Sequence, residues 1–143
     1  MIDGYHATLQ IPMAKILIID DSPDLLDMLS MILKIRGHEI ITSIDFLGSI
    51  KSINKFQPDL LILDVLLGSY NGRDICKEIK KFFPALPILL MSASSKLLLN
   101  FKDCNADAVL EKPFEMHVLN QTIASLLPSW LPPNTNYTAP AYQ

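Results

Sequence analysis

The sequence predicts an α/β fold in which a doubly wound parallel sheet of five strands is covered by helices on both faces. Half of the 143 residues are hydrophobic, and many lie in short runs such as residues 60–63 and 88–91. Runs that are apolar on both faces are typical of buried parallel strands. Between them lie segments whose apolar residues recur at helical spacing. This alternation favours a parallel sheet, and a chain of this length holds one domain.

The first strand and the first helix are clearly marked. Residues 15–20 form a β-branched run that ends in two carboxylates. Ser22 can then cap a helix, and Pro23 suits the first helical position. Leucines and isoleucines follow at helical spacing as far as Gly37, which is expected to end the helix.

The same alternation continues along the chain. We expect further strands at residues 39–43, 60–64, 88–92 and 108–110. We expect further helices over about residues 46–57 and 73–83, from the loop after Ser92 to about Cys104, and over residues 114–127. Asn105 tolerates left-handed geometry and is expected to cap the fourth helix. Residues 14–127 would then form the domain, between an N-terminal extension at 1–13 and a proline-rich C-terminal tail at 128–143.

Composition and charge exclude several classes of protein. The chain carries 12 basic and 15 acidic residues, and it has no basic stripe, so we expect no nucleic-acid partner. No apolar run reaches the length of a membrane span, and the N-terminus lacks a signal-peptide pattern. We therefore expect a cytoplasmic protein without membrane attachment. Cys76 and Cys104 form no CxxC motif and are interpreted as packed thiols.

Polar residues follow the predicted strands where those strands end. Asp20 and Asp21 follow the first strand, Asp64 ends the third, Ser92 ends the fourth, and Lys112 follows the fifth. Ligands of open α/β sheets bind outside the carboxyl ends of the strands. If the strand order is the flavodoxin-like 2-1-3-4-5, the first and third strands are neighbours. The three carboxylates would then converge.

Three crowded carboxylates repel one another unless a cation neutralises them. Mg²⁺ suits such a site, since it binds through one or two carboxylates, waters and a phosphate. One of the carboxylates could attack phosphorus and form an aspartyl phosphate. The Lys112 ammonium and the Ser92 hydroxyl could bind the phosphoryl oxygens.

Five segments carry a resemblance to a known family. They are the run Lys-Ile-Leu-Ile-Ile-Asp-Asp-Ser-Pro, the run Pro-Asp-Leu-Leu-Ile-Leu-Asp that ends at Asp64, Gly72 eight residues later, the pair Ser92-Ala93, and Glu-Lys-Pro-Phe at 111–114. In this order and spacing, over about residues 14–127, the chain resembles the receiver (CheY-like) domain of bacterial two-component response regulators.

The resemblance implies a role for each residue of the site. Asp64 would be the phosphoacceptor, and Asp21, Asp64 and the Leu66 carbonyl would hold Mg²⁺. Asp20 would assist through a metal-bound water. Ser92 would be the switch hydroxyl, and Lys112 would contact the phosphoryl group. The Lys112–Pro113 peptide bond would be cis.

The resemblance also implies a signalling role. A histidine kinase or phosphotransfer protein would donate the phosphoryl group, and the domain would catalyse only its own phosphorylation and dephosphorylation. It would not be an enzyme in any other sense. A downstream protein would dock on the fourth helix, fifth strand and fifth helix, and weak self-association is a further expectation.

This chain departs from the family at several positions. Leu67-Gly68 replaces the usual Met-Pro pair, and Val109 replaces the switch aromatic. With no aromatic to move, we expect Ser92 to act by pulling its own loop and shifting the fourth helix.

A continuous fourth helix would turn Leu97, Phe101 and Cys104 to the core, and Leu99 outward, with Leu98 at the boundary. Leu66, two residues after the acceptor, cannot orient an attacking water and predicts slow dephosphorylation.

Three other functions are alternatives to this one. A phosphorylation-independent adaptor with the same fold remains an alternative, since Val109 replaces the switch aromatic. Dehalogenase-like phosphatases carry a second acid two residues after the nucleophile, where this chain has Leu66. A flavodoxin must receive phosphate in its first loop, and Asp20 and Asp21 would repel it.

Overall fold

A computed structural model describes residues 11–128, 131 and 133–134. Its centre is a parallel sheet of five strands: Lys15–Ile19 (β1), Glu39–Ser43 (β2), Leu60–Asp64 (β3), Ile88–Ser92 (β4) and Ala108–Glu111 (β5). The strands are ordered β2-β1-β3-β4-β5. This is the predicted 2-1-3-4-5 order, and the predicted fold class is confirmed.

The helices alternate with the strands as the sequence predicts. They are Pro23–Ile35 (α1), Ser49–Phe56 (α2), Gly72–Phe82 (α3), Ser95–Leu98 (α4) and Met116–Leu126 (α5). The Ser22 hydroxyl caps α1 by accepting a hydrogen bond from the Leu25 amide at 3.3 Å. Helix α2 begins three residues later than predicted. Phe46 lies in the turn before it, where the Phe46 carbonyl accepts a hydrogen bond from the Ser49 amide.

The predicted fourth helix is wrong as a continuous element. Helix α4 ends at Leu98, and a separate 3₁₀ turn runs over Phe101–Cys104. Between them Leu99 is extended and Asn100 has a left-handed φ of 56°. Asparagine tolerates this conformation better than most residues. The Arg73 guanidinium also donates to the Asn100 carbonyl at 3.2 Å, so a contact with α3 supports the break. Asn105 follows the 3₁₀ turn in left-handed geometry, as predicted for a capping residue.

The break changes which leucines face solvent. Leu98 is buried, with 7% of its surface exposed, whereas the sequence places it at the boundary of the exposed face. Leu99 is 62% exposed, as predicted. The core-facing stripe is largely as expected, since Cys104 is buried and Leu97 and Phe101 pack against the core.

The hydrophobic core lies on both faces of the sheet. Strand β1 illustrates this, because Leu17 and Ile19 contact the cluster that includes residues of α2 and α3. Ile16 and Ile18 contact the cluster that includes residues of α1 and α5. Strands β3 and β4 are buried along their whole length. Burial on both faces is therefore the reason for the continuous apolar runs in the sequence.

The two ends of the described chain pair with each other. Ile11–Pro12 pairs antiparallel with Pro133–Asn134. Most of the predicted extension at 1–13 and much of the predicted tail at 128–143, including Trp130, lie outside the described residues. Within the described part of the chain, no helix has the length and apolar character needed to cross a bilayer.

Candidate functional site

Three carboxylates lie together at the carboxyl edge of the sheet. Strands β1 and β3 are neighbours, and they bring Asp20 and Asp21 next to Asp64. One carboxylate oxygen from each of these residues lies within 4.8 Å of the others. Asp20 and Asp64 are buried, and Asp21 is exposed. The site is therefore a buried acid pair with a third acid on its solvent side.

Asp20 is held by contacts to both of its oxygens. The Ser22 amide donates to Asp20 Oδ1 at 2.9 Å, and the Lys112 ammonium donates to Asp20 Oδ2 at 2.6 Å. The ammonium also lies 3.5 Å from Asp64 Oδ1. Lys112 therefore bridges the two buried acids and offsets part of their charge.

Strand β5 ends directly before Lys112 and brings this residue to the site. The Lys112 amide donates to the Ser92 carbonyl at 2.8 Å, which extends the pairing of β4 with β5. The Lys112–Pro113 peptide bond is cis, as predicted.

Asp64 has a raised pKa. Burial is the largest cause, and the neighbouring Asp20 carboxylate adds to it. Lys112 and a backbone hydrogen bond from Leu66 act in the opposite direction, and Asp21 raises the pKa further. The pKa is raised overall because Lys112 and the Leu66 amide do not offset burial and the two neighbouring acids together. A second cation would favour the ionised carboxylate.

The donor set fits a hard divalent cation such as Mg²⁺. Carboxylate and carbonyl oxygens are the ligands that Mg²⁺ prefers. Asp20, Asp21 and Asp64 supply the carboxylates, and the Leu66 carbonyl as a further ligand stays a prediction. The exposure of Asp21 leaves the solvent side open, where a cation could keep waters and meet a phosphate.

Gly72 allows the acceptor segment to pack closely against α3. A Cβ atom at residue 72 would lie 2.2 Å from the Asp64 carbonyl oxygen and 2.8 Å from the Val65 Cα. The Gly72 amide donates to the Val65 carbonyl at 2.6 Å. The glycine is thus required by this close approach of two backbone segments.

Ser92 is fully buried at the end of β4. Its hydroxyl accepts a hydrogen bond from the Ser94 amide at 3.1 Å, within its own loop. Val109 lies on the adjacent strand and packs, partly buried, against the core cluster that includes Leu98. The serine that was expected to act as a switch is thus linked directly to the start of α4.

The sequence interpretation missed a hairpin beside the site. Leu66–Leu67 pairs antiparallel with Tyr70–Asn71, and Gly68 has a left-handed φ of 59° in the two-residue turn. The Gly68 amide lies 3.4 Å from Asp21 Oδ2. A Gly-Ser pair between two short apolar or aromatic segments is a hairpin signal that could have indicated this element.

The family of the chain follows from this fold, this site and the comparisons with known proteins. The family described as the response regulator receiver domain matches residues 16–124. The chain belongs to the response regulator receiver domain family.

Two solved structures illustrate the similarity. Chemotaxis protein CheY4 of Vibrio cholerae superimposes with a TM-score of 0.74 at 28% identity, over 80% of this chain and 99% of that chain. The receiver domain of NtrX from Brucella abortus gives a TM-score of 0.73 at 31% identity, over 78% of this chain and 97% of that chain.

The curated relatives are longer proteins. The alkaline phosphatase synthesis transcriptional regulatory protein PhoP of Bacillus subtilis is 29% identical over 79% of this chain and 48% of its own length. The probable transcriptional regulatory protein TcrX of Mycobacterium tuberculosis is 31% identical over 78% of this chain and 49% of its own length. The chain spans about half the length of these relatives.

Proposed function

We propose that this receiver domain accepts a phosphoryl group on Asp64 in a Mg²⁺-dependent reaction. The observation that carries the proposal is the buried Asp64 carboxylate, which lies among Asp20, Asp21 and the Lys112 ammonium. Burial and neighbouring acids oppose ionisation of Asp64, so a divalent cation beside Lys112 would favour the carboxylate form that attacks phosphorus and would offset the charge of the incoming phosphoryl group.

The chemistry follows from the positions of these residues. An oxygen of the Asp64 carboxylate attacks the phosphorus atom of a phosphohistidine, the new O–P bond forms, and the N–P bond breaks. The electron pair of that bond returns to the imidazole of the donor. Lys112 stabilises the equatorial phosphoryl oxygens, and the Ser92 hydroxyl binds the same group. Asp21, Asp64 and the Leu66 carbonyl would hold Mg²⁺, with Asp20 assisting through a water, and the bound ion would supply charge neutralisation.

The domain then acts as a signalling switch in the cytoplasm. Its donor is a sensor histidine kinase or a phosphotransfer protein, and its catalysis is limited to its own phosphorylation and dephosphorylation. The downstream protein docks on α4, β5 and α5, next to Leu99, which directly follows α4 and is exposed. Because Ser92 is bonded to the loop that begins α4, its movement toward a phosphoryl oxygen would shift that helix.

Labelling with a small phosphodonor tests the proposal. Wild-type protein incubated with acetyl phosphate and Mg²⁺ should gain one phosphoryl group by intact-mass measurement, and chelation of Mg²⁺ should prevent this. Asp64→Asn should abolish labelling, whereas Asp103→Asn, which changes an exposed acid outside the site, should not.

Two results would contradict the proposal. Equal labelling of the Asp64→Asn variant would remove Asp64 as the acceptor. A wild-type protein that neither takes up phosphoryl nor binds beryllofluoride with Mg²⁺ would instead be a phosphorylation-independent adaptor.

A further inference from the structure

The hairpin after Asp64 is too small to be stable by itself. It consists of two pairs of residues, Leu66 with Asn71 and Leu67 with Tyr70, joined by a two-residue turn. An isolated two-stranded hairpin is marginally stable in water even when it is longer. Contacts with the rest of the domain must therefore hold it closed.

The first strand of the hairpin is held by the core, and the second ends at a helix. Leu67 is buried in the core cluster on the α3 side of the sheet. The Asn71 side chain accepts from the Arg73 amide at 2.8 Å and so caps α3. These contacts hold the start and the end of the hairpin.

Tyr70 connects the hairpin to a different loop. Its ring centroid lies 4.3 Å from that of Phe46, with an angle of 74° between the ring planes. Phe46 packs against the core, and its carbonyl accepts from the Ser49 amide at 2.8 Å. Tyr70 itself is 47% exposed. The tyrosine is thus anchored on a phenylalanine that the core and the start of α2 hold in place.

The conformation of the hairpin affects Asp64 directly. Leu66 lies opposite Asn71, and a backbone hydrogen bond from Leu66 reaches the Asp64 carboxylate. The Leu66 side chain, 52% exposed, stands two residues from the acceptor on the solvent side. Opening of the hairpin would therefore disrupt this backbone hydrogen bond to Asp64 and displace the Leu66 side chain.

We propose that Phe46 and Tyr70 are positioning residues whose contact keeps the hairpin closed and thereby slows hydrolysis of the phosphoryl group on Asp64. This inference rests on the proposed function. In hydrolysis a water oxygen attacks phosphorus and the bond between phosphorus and the Asp64 oxygen breaks. Inorganic phosphate leaves, the carboxylate is restored and a proton passes to solvent. Each opening of the hairpin admits water to this reaction.

Loss of the aromatic contact should accelerate this hydrolysis by a measurable factor. Tyr70→Ala removes the ring, and the usual worth of an aromatic pair corresponds to a rate increase of about two- to twelve-fold. Tyr70→Phe keeps the ring and should retain the wild-type rate. Leu47→Ala, which removes a 67% exposed side chain from the loop that carries Phe46, is the matched control and should also retain it.

The experiment follows loss of the phosphoryl group from labelled protein after the donor is removed, with Mg²⁺ present. The melting temperature of each variant is measured in parallel. Phe46→Leu should accelerate hydrolysis, and it should add little in the Tyr70→Ala background, because both changes remove the same contact.

Several outcomes would overturn the inference. One is a hydrolysis rate of Tyr70→Ala equal to that of wild type. Another is an acceleration by Tyr70→Phe or Leu47→Ala as large as that by Tyr70→Ala. A third is full additivity of the Phe46→Leu and Tyr70→Ala effects. A wild-type protein that takes up no phosphoryl group would refute the proposed function and this inference with it. If the wild type is labelled and Tyr70→Ala loses its phosphoryl group no faster, this inference alone is refuted.

Discussion

Replacement of Gly72 by alanine tests how closely the acceptor segment packs against α3. Alanine is the better helix former by about 1 kcal/mol, so propensity by itself predicts that Gly72→Ala stabilises the protein. The structure predicts the opposite sign. The added Cβ would lie 2.2 Å from the Asp64 carbonyl oxygen, more than an ångström inside ordinary van der Waals contact.

The destabilisation caused by Gly72→Ala depends on which atoms the added Cβ meets. All three close contacts, to the Asp64 oxygen and carbon and to the Val65 Cα, are with backbone, which cannot rotate away as a side chain can. Overpacking a tight interior costs about 1–3 kcal/mol and sometimes more. We expect the upper end of this range, so Gly72→Ala should lose about 2 kcal/mol after the gain in helix propensity.

Urea unfolding followed by circular dichroism measures this difference. Gly68→Ala is the matched control, since a Cβ there meets nothing within 4 Å and only the left-handed φ of 59° is unfavourable. It should lose about 1–2 kcal/mol. Relief of the clash at Gly72 also displaces Asp64, so phosphoryl labelling should fall in that variant. A free energy of unfolding for Gly72→Ala at or above that of wild type would refute the steric reasoning.

Three further predictions concern other parts of the domain. Burial, together with Arg36, lowers the pKa of His38 from 6.5 to about 4, so the folded state keeps it neutral while the unfolded state gains a proton. Stability should therefore fall by roughly 3 kcal/mol between pH 6.5 and 4 on account of His38. His38→Gln should lose this component of the pH profile in urea titrations, and an unchanged profile would contradict the assignment. Leu98→Ala should cost about 3 kcal/mol of unfolding free energy. Leu99→Glu should change the free energy of unfolding by less than about 0.5 kcal/mol and leave phosphoryl labelling intact. The same variant should weaken partner binding or self-association. An unfolded Leu99→Glu variant would place Leu99 in the core. Leu66→Asn should shorten the lifetime of the phosphoryl group on Asp64, because a polar side chain at this position can orient water. A half-life of seconds for the phosphorylated wild type would count against slow dephosphorylation.

The sheet and its acid cluster could be predicted because local patterns reflect burial directly. Strands β3 and β4 are apolar up to their last residues, Asp64 and Ser92, because helices cover both faces of the sheet. The meeting of Asp20 with Asp64 follows from the ends of adjacent parallel strands. Lys112 could be placed in the site because it follows the last strand.

The break in the fourth helix could not be predicted from helical spacing. Residues 95–104 contain apolar positions that fit one continuous helix, and nothing in that spacing shows that Asn100 is left-handed. The contact from Arg73 on α3, far away in sequence, supports the break. The burial of Leu98 follows from it, so the exposed face predicted from periodicity was partly wrong.

The amino-acid sequence by itself determined the strands, most of the helices and the residues that meet at the carboxyl edge of the sheet. Each of these depends on local propensity, on burial periodicity or on where a strand ends. The tertiary structure alone decided the pKa of Asp64, the contact of Phe46 with Tyr70 and the pairing of Ile11–Pro12 with Pro133–Asn134. These features depend on distances between segments remote in sequence, which packing of the whole domain sets and no local pattern records.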